Sequence, residues 1–385
     1  MSNRINLFSA QIKTFVESLF VPFFLVLPIL VLYILAPNSF QSTWKGRFLY
    51  ILFLWLFFLE LALAGKRIPK NMLGKSKWIR TLVAVVAMAV PIAYAIATVH
   101  FGLNQEIIEL GKFVGVPYEV YGEGFLQFHW PLSLEYLVFT AFFVISVLLT
   151  YGIKGLKRFS VSLFFLGAAG SFYMIDTFYP YGTLTVLQSF APITASSAVN
   201  VLKWMGYNAI LIPNAYMGMP VLLAPNFVPL AIGWPCAGVH SLFIYTFVIL
   251  LFLKDIPFAL QQKKIRAAIP KGLRFMAGSK TLSFPMQHAK IQEGIMATER
   301  LIVNVLRMMP VFIIVFVGAV GTFIVNILRI ASIVIIGVNV GEEAAMMFHT
   351  YYGELYFIAW ILLYLFAIIY GPKIWTKLRK IRNRA

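Results

Sequence analysis

The chain has a single cysteine, Cys236, among 385 residues. One thiol excludes an intrachain disulfide and a zinc site built from several thiolates. Charge is also scarce, since Asp, Glu, Lys and Arg make up only 12% of the composition. The sequence contains no His-Glu-x-x-His metal pair, no Gly-x-Ser-x-Gly motif and no complete Gly-x-x-x-x-Gly-Lys-Ser/Thr loop. The signatures of the commonest metalloproteases, serine hydrolases and P-loop proteins are therefore missing.

Apolar side chains are abundant instead. Hydrophobic residues make up 61% of the chain and aromatic residues 16%, with a mean hydropathy of +0.84. A soluble domain of this length cannot hide so much apolar surface. The net charge of +18 would suggest a nucleic-acid partner in a soluble chain, but Lys- and Arg-rich cytoplasmic loops explain it in a membrane protein. We therefore expect a membrane protein with no nucleic-acid partner.

Apolar runs along the chain predict an all-α, polytopic membrane helical bundle of about eight transmembrane helices, since a span needs about 20 apolar residues. The runs are Leu19–Ala36, Phe48–Ala64, Thr81–Phe101, Leu132–Tyr151, Phe159–Phe178, Trp234–Leu253, Pro310–Val338 and Tyr351–Tyr370. The first run is long enough to be retained as a span rather than cleaved as a leader. Thr183–Trp204 is less apolar and predicts an interfacial or partly buried helix.

The distribution of cations predicts the orientation. Most of the 32 Lys and Arg residues fall in alternate loops and at the two ends of the chain. These cationic segments are residues 1–18, Gly65–Arg80, Gly152–Arg158, Lys254–Arg307 and 372–385. Because cytoplasmic loops are enriched in Lys and Arg, both termini are expected in the cytoplasm.

The predicted organisation has four parts. Residues 1–179 form an N-terminal five-helix membrane region, and residues 180–233 form a Pro-rich extracytoplasmic interfacial segment. Residues 234–370 form the membrane region with the candidate catalytic residues, including a basic cytoplasmic loop at 254–307, and 371–385 form a basic cytoplasmic tail. Amphipathic stretches in the loop predict a helix on the inner leaflet. The alternation over Gly218–Leu230 is compatible with a short hairpin or with the lining of a groove.

Three polar residues from separate predicted spans meet at the extracytoplasmic side in this topology: Cys236, Arg329 and His349. A guanidinium inside a spanning helix is costly unless it faces a polar partner or cavity, so Arg329 is a functional candidate by default. The alternative is an interfacial arginine that extends to the lipid headgroups. Asn326 lies three residues earlier and shares a helical face with Arg329, which favours the polar cavity.

Cys236 has a structural and a reactive interpretation. Unpaired cysteines are often small buried hydrophobes. Here, however, Trp234-Pro235 precedes the thiol and Ala237-Gly238 follows it at an expected helix start. A helix N-terminus and a nearby arginine both stabilise a thiolate. Gly238 lets another backbone or a substrate chain approach closely.

The choice of a general base stays open from the residues alone. His240 follows Cys236 by four residues and shares its face if the helix has already begun, whereas His349 precedes the last predicted span. Either imidazole has suitable chemistry. The other histidines, His100, His129 and His288, are expected to be satisfied interfacial or cytoplasmic residues.

The motifs together resemble the exosortase/archaeosortase family of multi-pass membrane cysteine transpeptidases. The resemblance rests on Cys236-Ala237-Gly238 before a span, Asn326-x-x-Arg329-Ile330, and His349 with Gly353 ahead of the last span. It covers residues 180–370, and the earlier spans match only as hydrophobic helices. The family usually has Ser or Thr at the position of Ala237, and the basic loop at 254–307 is long for a member.

This resemblance implies a membrane thiol protease and transpeptidase without a cofactor or metal. Cys236 would be the nucleophile, His349 the general acid and base, and Arg329 the group that steadies negative charge, with Gly238, Asn326 and His240 in support. The substrates would be secreted proteins with a C-terminal motif, a hydrophobic helix and a basic end. The enzyme would cleave this sorting signal through a thioester at the extracytoplasmic face of the cell membrane, and a lipid amine would be the acyl acceptor.

Two alternatives remain beside it. One is an intramembrane cysteine protease that hydrolyses the same thioester without transfer. The other is a lipid or polyprenyl-phosphate transporter or transferase, in which Arg329 holds a phosphate and Cys236 is structural.

Overall fold

The structure, a computed structural model, describes residues 23, 25–43, 45–64, 78–253 and 286–382. Within these residues the chain is mostly helical, with one small sheet. The longer helices are α1 (Leu25–Leu35), α2 (Leu49–Ala64), α3 (Trp78–His100), α4 (Leu103–Phe113), α5 (Trp130–Tyr151), α6 (Ser160–Phe178), α7 (Ala191–Trp204), α8 (Val239–Leu253), α9 (Met286–Asn339), α10 (Glu342–Tyr352) and α11 (Leu355–Arg382). The strands are β1 (Ile210–Tyr216), β2 (Met219–Leu223) and β3 (Leu230–Ala231).

Five helical segments in the described part of the chain are long and apolar enough to cross a membrane. They are Leu82–His100, Phe125–Tyr151, Ser160–Phe178, Met309–Asn339 and Glu342–Gly371. Three further predicted spans correspond to the shorter apolar helices α1, α2 and α8. Length and composition therefore support a membrane helical bundle with five candidate spans among the described residues, and the predicted count of eight stays a prediction.

Helix α5 packs against both α3 and α6, and α2 packs against α6. Gly170 on α6 permits a close approach, because a Cβ there would lie 2.9 Å from Tyr136 on α5. Small residues at such crossings allow spanning helices to pack closely. Tyr136 also stacks on Tyr50 of α2, with ring centroids 4.3 Å apart.

Glu60 is fully buried on α2 and caps the start of α6. Its carboxylate accepts hydrogen bonds from the backbone N–H groups of Val161 and Ser162, each at 3.0 Å, and from the Ser162 hydroxyl. A carboxylate at a helix N-terminus satisfies otherwise unpaired donors and opposes the positive end of the helix dipole. This acid within an apolar helix therefore has a structural role.

The Pro-rich segment contains the main departure from the all-α prediction, since it holds a three-stranded antiparallel sheet in the order β1-β2-β3. The hairpin turn has positive φ at Met217 (48°) and Gly218 (74°), which suits a tight turn between antiparallel strands. The register shifts between Ile212 and Tyr216, where Pro213 lies on an edge strand. The short apolar runs on either side of this turn are the signal for the hairpin.

Helix α7 confirms a helix in the less apolar run, and its buried small residues pack against the sheet. The core here joins α7, β2, the segment before α8 and α9. Its members include Ala195 of α7, Leu222 of β2, Ala237, and Ile330 of α9. This core fixes the segment with Cys236 between α7 and α9.

Helix α9 begins at Met286, well before the boundary predicted at Pro310, which lies inside the helix. The prediction defined the element by its apolar run, whereas residues 286–309 include many polar residues with good helix propensity, such as Gln, Glu and Arg. Residues 286–307 of the predicted cytoplasmic loop are therefore helical. The basic residues of its earlier part lie outside the described residues.

The fold divides into two compact units. The first comprises residues within Met1–Ile244 and Thr322–Trp360, and the second comprises residues within Tyr245–Gly321 and Ile361–Ala385. In the second unit, Gly318 allows close contact with Ile249 and Tyr364, and the Tyr364 hydroxyl donates to the Ile314 carbonyl. Every described residue of the candidate site below belongs to the first unit.

Candidate functional site

Cys236 lies in a turn formed by residues 234–238, just before α8 begins at Val239. The prediction that the thiol starts the helix is therefore wrong. Gly238 has φ +81°, a left-handed conformation that ends any helix before it and favours glycine. Cys236 and His240 do not share a helical face, because only His240 is helical. The Cys236 side chain is half-buried.

Hydrogen bonds between the turn and segments that precede it in the chain hold the turn in place. The Trp234 indole N–H donates to the Tyr179 carbonyl at 3.0 Å. The Thr194 hydroxyl on α7 donates to the Ala237 carbonyl at 3.2 Å. Trp234 is fully buried, so its ring is packed inside the protein while its N–H group is hydrogen-bonded. The thiol therefore sits on a fixed turn.

Two side chains of α9 reach the turn from the other side. The Asn326 amide and the Arg329 guanidinium each donate to the main-chain carbonyl of Cys236 at 3.2 Å. Gly238 makes this approach possible, because a Cβ there would lie 2.6 Å from the Asn326 side chain. The structure therefore brings Cys236 and Gly238 together with Asn326 and Arg329, although 90 residues separate Cys236 from Asn326.

Glu354 completes the surroundings of Arg329. Its Oε1 atom accepts a hydrogen bond from Nη1 of Arg329 at 2.9 Å, and both side chains are almost fully buried. The guanidinium also lies over the Phe357 ring, 5.2 Å from its centroid. A buried arginine with a carboxylate partner is not a headgroup-seeking residue. Sequence reasoning missed Glu354, although an acid within an apolar run is a functional signal.

The two candidate bases occupy different positions. His240, in the first turn of α8, has Nε2 at 3.9 Å from Oε1 of Glu354 and 3.2 Å from the Ser241 hydroxyl. His349 lies on α10, close enough to Arg329 for electrostatic interaction. The structure thus places His240 beside the Arg329–Glu354 pair and His349 in the electrostatic field of Arg329. Both imidazoles remain candidates.

A second ion pair lies beside the turn. Lys45 contacts the buried carboxylate of Asp176 and lies 3.2 Å from Nδ1 of His129. Lys45, Asp176 and His240 line a small cavity together with Trp234 and with three further residues, Phe172, Tyr173 and Pro235. Its volume of about 10 Å³ is that of roughly one water molecule. His129, expected to be an interfacial residue, is thus a contact of Lys45.

The electrostatics of the turn determine the state of the thiol, which lies outside α8. Burial raises the pKa of Cys236 above its ordinary value, and the charge of Arg329 offsets only part of that effect. The neutral thiol is therefore favoured, so a base or a bound substrate must promote ionisation. Among the described residues, no group of three His, Cys, Asp or Glu side chains is arranged to hold a metal ion.

No family model, no curated protein and no solved structure matches this chain. The functional interpretation accordingly rests on the geometry of the site and on the motifs in the sequence.

Proposed function

We propose that the chain is a multi-pass membrane cysteine transpeptidase that resembles the exosortase/archaeosortase family. In this proposal eight spans place both termini in the cytoplasm and the turn with Cys236 near the extracytoplasmic surface. The observation that supports it most is the meeting of the only cysteine with Arg329 and Asn326 of α9, at its own backbone carbonyl. In this proposal His349 supplies the basic group that thiol chemistry needs, with His240 as the other candidate.

The proposed reaction begins when the imidazole of His349 takes the proton of the Cys236 thiol. The resulting thiolate attacks a peptide carbonyl near the C-terminal helix of a secreted protein. The C–S bond forms, and Arg329 offsets the negative charge that develops on the carbonyl oxygen. The C–N bond then breaks, and the leaving amine takes a proton from the imidazole of His349. The products of this half-reaction are a thioester on Cys236 and the released C-terminal helix.

The second half-reaction transfers the acyl group. The amine of a membrane lipid attacks the thioester and loses a proton to the same imidazole, the C–S bond breaks, and the thiolate returns. The product is a protein joined to the lipid by an amide. Limited access of water to the turn would favour the amine over hydrolysis.

Glu354 has a positioning role in this scheme. Its hydrogen bond fixes the orientation of the Arg329 guanidinium, which leaves other N–H groups for the Cys236 turn. Preorganised donors stabilise developing charge without reorganisation during the reaction. His240, 3.9 Å from the same carboxylate, would respond to any change in that pair.

Membrane proteomics tests the proposal in the organism that encodes the chain. Strains carry a gene deletion complemented with wild type, Cys236→Ala or the control Lys112→Gln, an exposed cation remote in sequence from the site. We expect secreted proteins to retain their C-terminal hydrophobic helix and basic end in the deletion and Cys236→Ala strains only. Normal processing with Cys236→Ala would refute the proposal.

The same assay, with Arg329→Ala and Cys236→Ser added to the set of strains, separates the alternatives. A cleaved product without lipid would identify a hydrolytic protease. Loss of function in Arg329→Ala combined with a mild effect of Cys236→Ser would identify a phosphate-binding transporter or transferase with a structural cysteine.

A further inference from the structure

A second, larger cavity lies in the first unit, outside the turn with Cys236. Its volume is about 380 Å³, within the range of small-molecule sites. The walls come from the segment between α1 and α2, the end of α3 and the start of α5. Because α3 and α5 both contain candidate spans, the cavity lies at one end of helices that can cross a membrane.

The polar wall is built on the ion pair of Arg47 and Glu135. Arg47 donates from Nε to Oε1 at 2.8 Å and from Nη2 to Oε2 at 2.6 Å. Glu135 is almost fully buried, whereas the Arg47 side chain is 19% exposed. A guanidinium carries five N–H donors, and this pairing uses two of them. Arg47 therefore keeps donors for an anionic ligand, and Asn104 lines the same cavity.

Arg47 keeps its positive charge in this environment. Burial alone lowers its pKa, but the hydrogen bond and the charge of Glu135 outweigh burial, so the pKa is raised above its usual value. Guanidinium groups match phosphate oxygens in a planar, forked geometry. A phosphate is thus an anion that fits this wall.

The remaining wall is apolar and partly exposed. Val99 and Phe128 line the cavity with 39% and 68% of their surfaces exposed, and Leu132 lines it as well. A ligand with a phosphate next to apolar chains satisfies both kinds of wall. A free phosphate ion would make no favourable contact with the apolar wall.

Lys45 connects this cavity with the site. It lines the large cavity and also the small one that contains His240 and Trp234. Lys45 therefore lies between the large cavity and the small one, which Trp234 and Pro235 of the turn also line.

We propose that this cavity binds the phosphate-bearing headgroup of a membrane phospholipid, with Arg47 as the phosphate ligand, and holds the second substrate beside Cys236. The role as second substrate rests on the proposed function, but the binding itself does not. The headgroup would leave its amine directed towards the thioester, while the acyl chains lie along Val99 and Phe128.

Lipid binding tests the site independently of catalysis. Full-length Cys236→Ala protein is purified in detergent, and bound phosphatidylglycerol and phosphatidylethanolamine are measured by native mass spectrometry, with inorganic phosphate as a competitor. We expect both lipids to bind, and Arg47→Gln to weaken their binding at least about tenfold, the loss of one charge-assisted contact. Lys112→Gln should leave it unchanged.

A second variant guards against misfolding. Leu132→Trp reduces the cavity volume while keeping both charges of the ion pair, and we expect it to exclude lipid as well. Wild-type binding in both Arg47→Gln and Leu132→Trp would overturn the proposal. So would inorganic phosphate that binds as tightly as the lipids, since this indicates a site for free anions.

Transfer is measured separately, in protein with Cys236 intact. We expect Arg47→Gln to form the thioester at the wild-type rate but to yield less lipid-linked product from phosphatidylethanolamine. Equal loss of both steps would overturn the role as second substrate. If no thioester forms even in the wild type, the proposed function fails, and Arg47-dependent lipid binding still supports the cavity.

Discussion

Replacement of Glu354 by glutamine should destabilise the protein by removing the counter-charge of Arg329. The Arg329 side chain is 1% exposed and the Glu354 side chain 4%, so water cannot solvate the guanidinium once the carboxylate is removed. Removal of one partner from a buried ion pair typically costs about 3–5 kcal/mol. Glutamine keeps the shape and one acceptor oxygen, so we expect a loss of about 3 kcal/mol.

A double-mutant cycle isolates the interaction. Arg329→Met removes the other charge, and the double variant removes both, which leaves no unpaired ion. Replacement of a whole buried pair by neutral groups is often close to neutral. We expect the double variant to lose less stability than Glu354→Gln alone. The coupling energy is then at least about 3 kcal/mol, because each single variant leaves one buried charge unpaired.

Equilibrium unfolding in mixed detergent micelles gives the free energy of unfolding for each variant. The exposed pair of Lys112 and Glu109 is the control, and Glu109→Gln should produce no measurable change. Additive effects of Arg329→Met and Glu354→Gln, or a loss below about 1 kcal/mol for Glu354→Gln, would contradict the role given to the pair.

Three further predictions concern the packing and the thiol. Gly238→Ala should lower the free energy of unfolding by about 1–3 kcal/mol more than Gly115→Ala. Both glycines have φ +81°, but only a Cβ at position 238 would meet a side chain, that of Asn326. Equal losses would argue against the close approach. Glu60→Gln should lower the thermal midpoint, since it weakens the cap of α6, and an unchanged midpoint would contradict that capping. The rate of alkylation of Cys236 by iodoacetamide should rise with pH and should not level off below pH 9.0, the ordinary pKa of a thiol. The raised pKa keeps the neutral thiol dominant at lower pH. A plateau of the rate near pH 7 would contradict the raised pKa.

The apolar runs predict most helices because a 20-residue run has few alternatives in a membrane. They predict boundaries poorly. Helix α9 extends back to Met286 through polar residues that keep a good helix propensity, and α8 starts only after Gly238. The three-stranded sheet depends on a turn at Met217-Gly218 and on local register, which a search for spans does not detect.

The candidate site was only partly visible in the sequence. Arg329 was identified because a guanidinium in an apolar helix is costly, and the structure gives it a buried partner. Glu354, Lys45 and Asp176 were not assigned to the site, since their role arises from contacts between distant segments. Cys236 was singled out for its position at an expected helix start, whereas the structure places it in a turn just before the helix.

The most direct test of the account is the detection of an acyl group on Cys236. Full-length protein in detergent without added lipid is incubated with a secreted substrate that proteomics has identified, and its intact mass is measured. We predict an adduct with the mass of the cleaved substrate, removable by neutral hydroxylamine and absent in Cys236→Ala. Cleavage without such an adduct, continuing at the wild-type rate in Cys236→Ala, would contradict it.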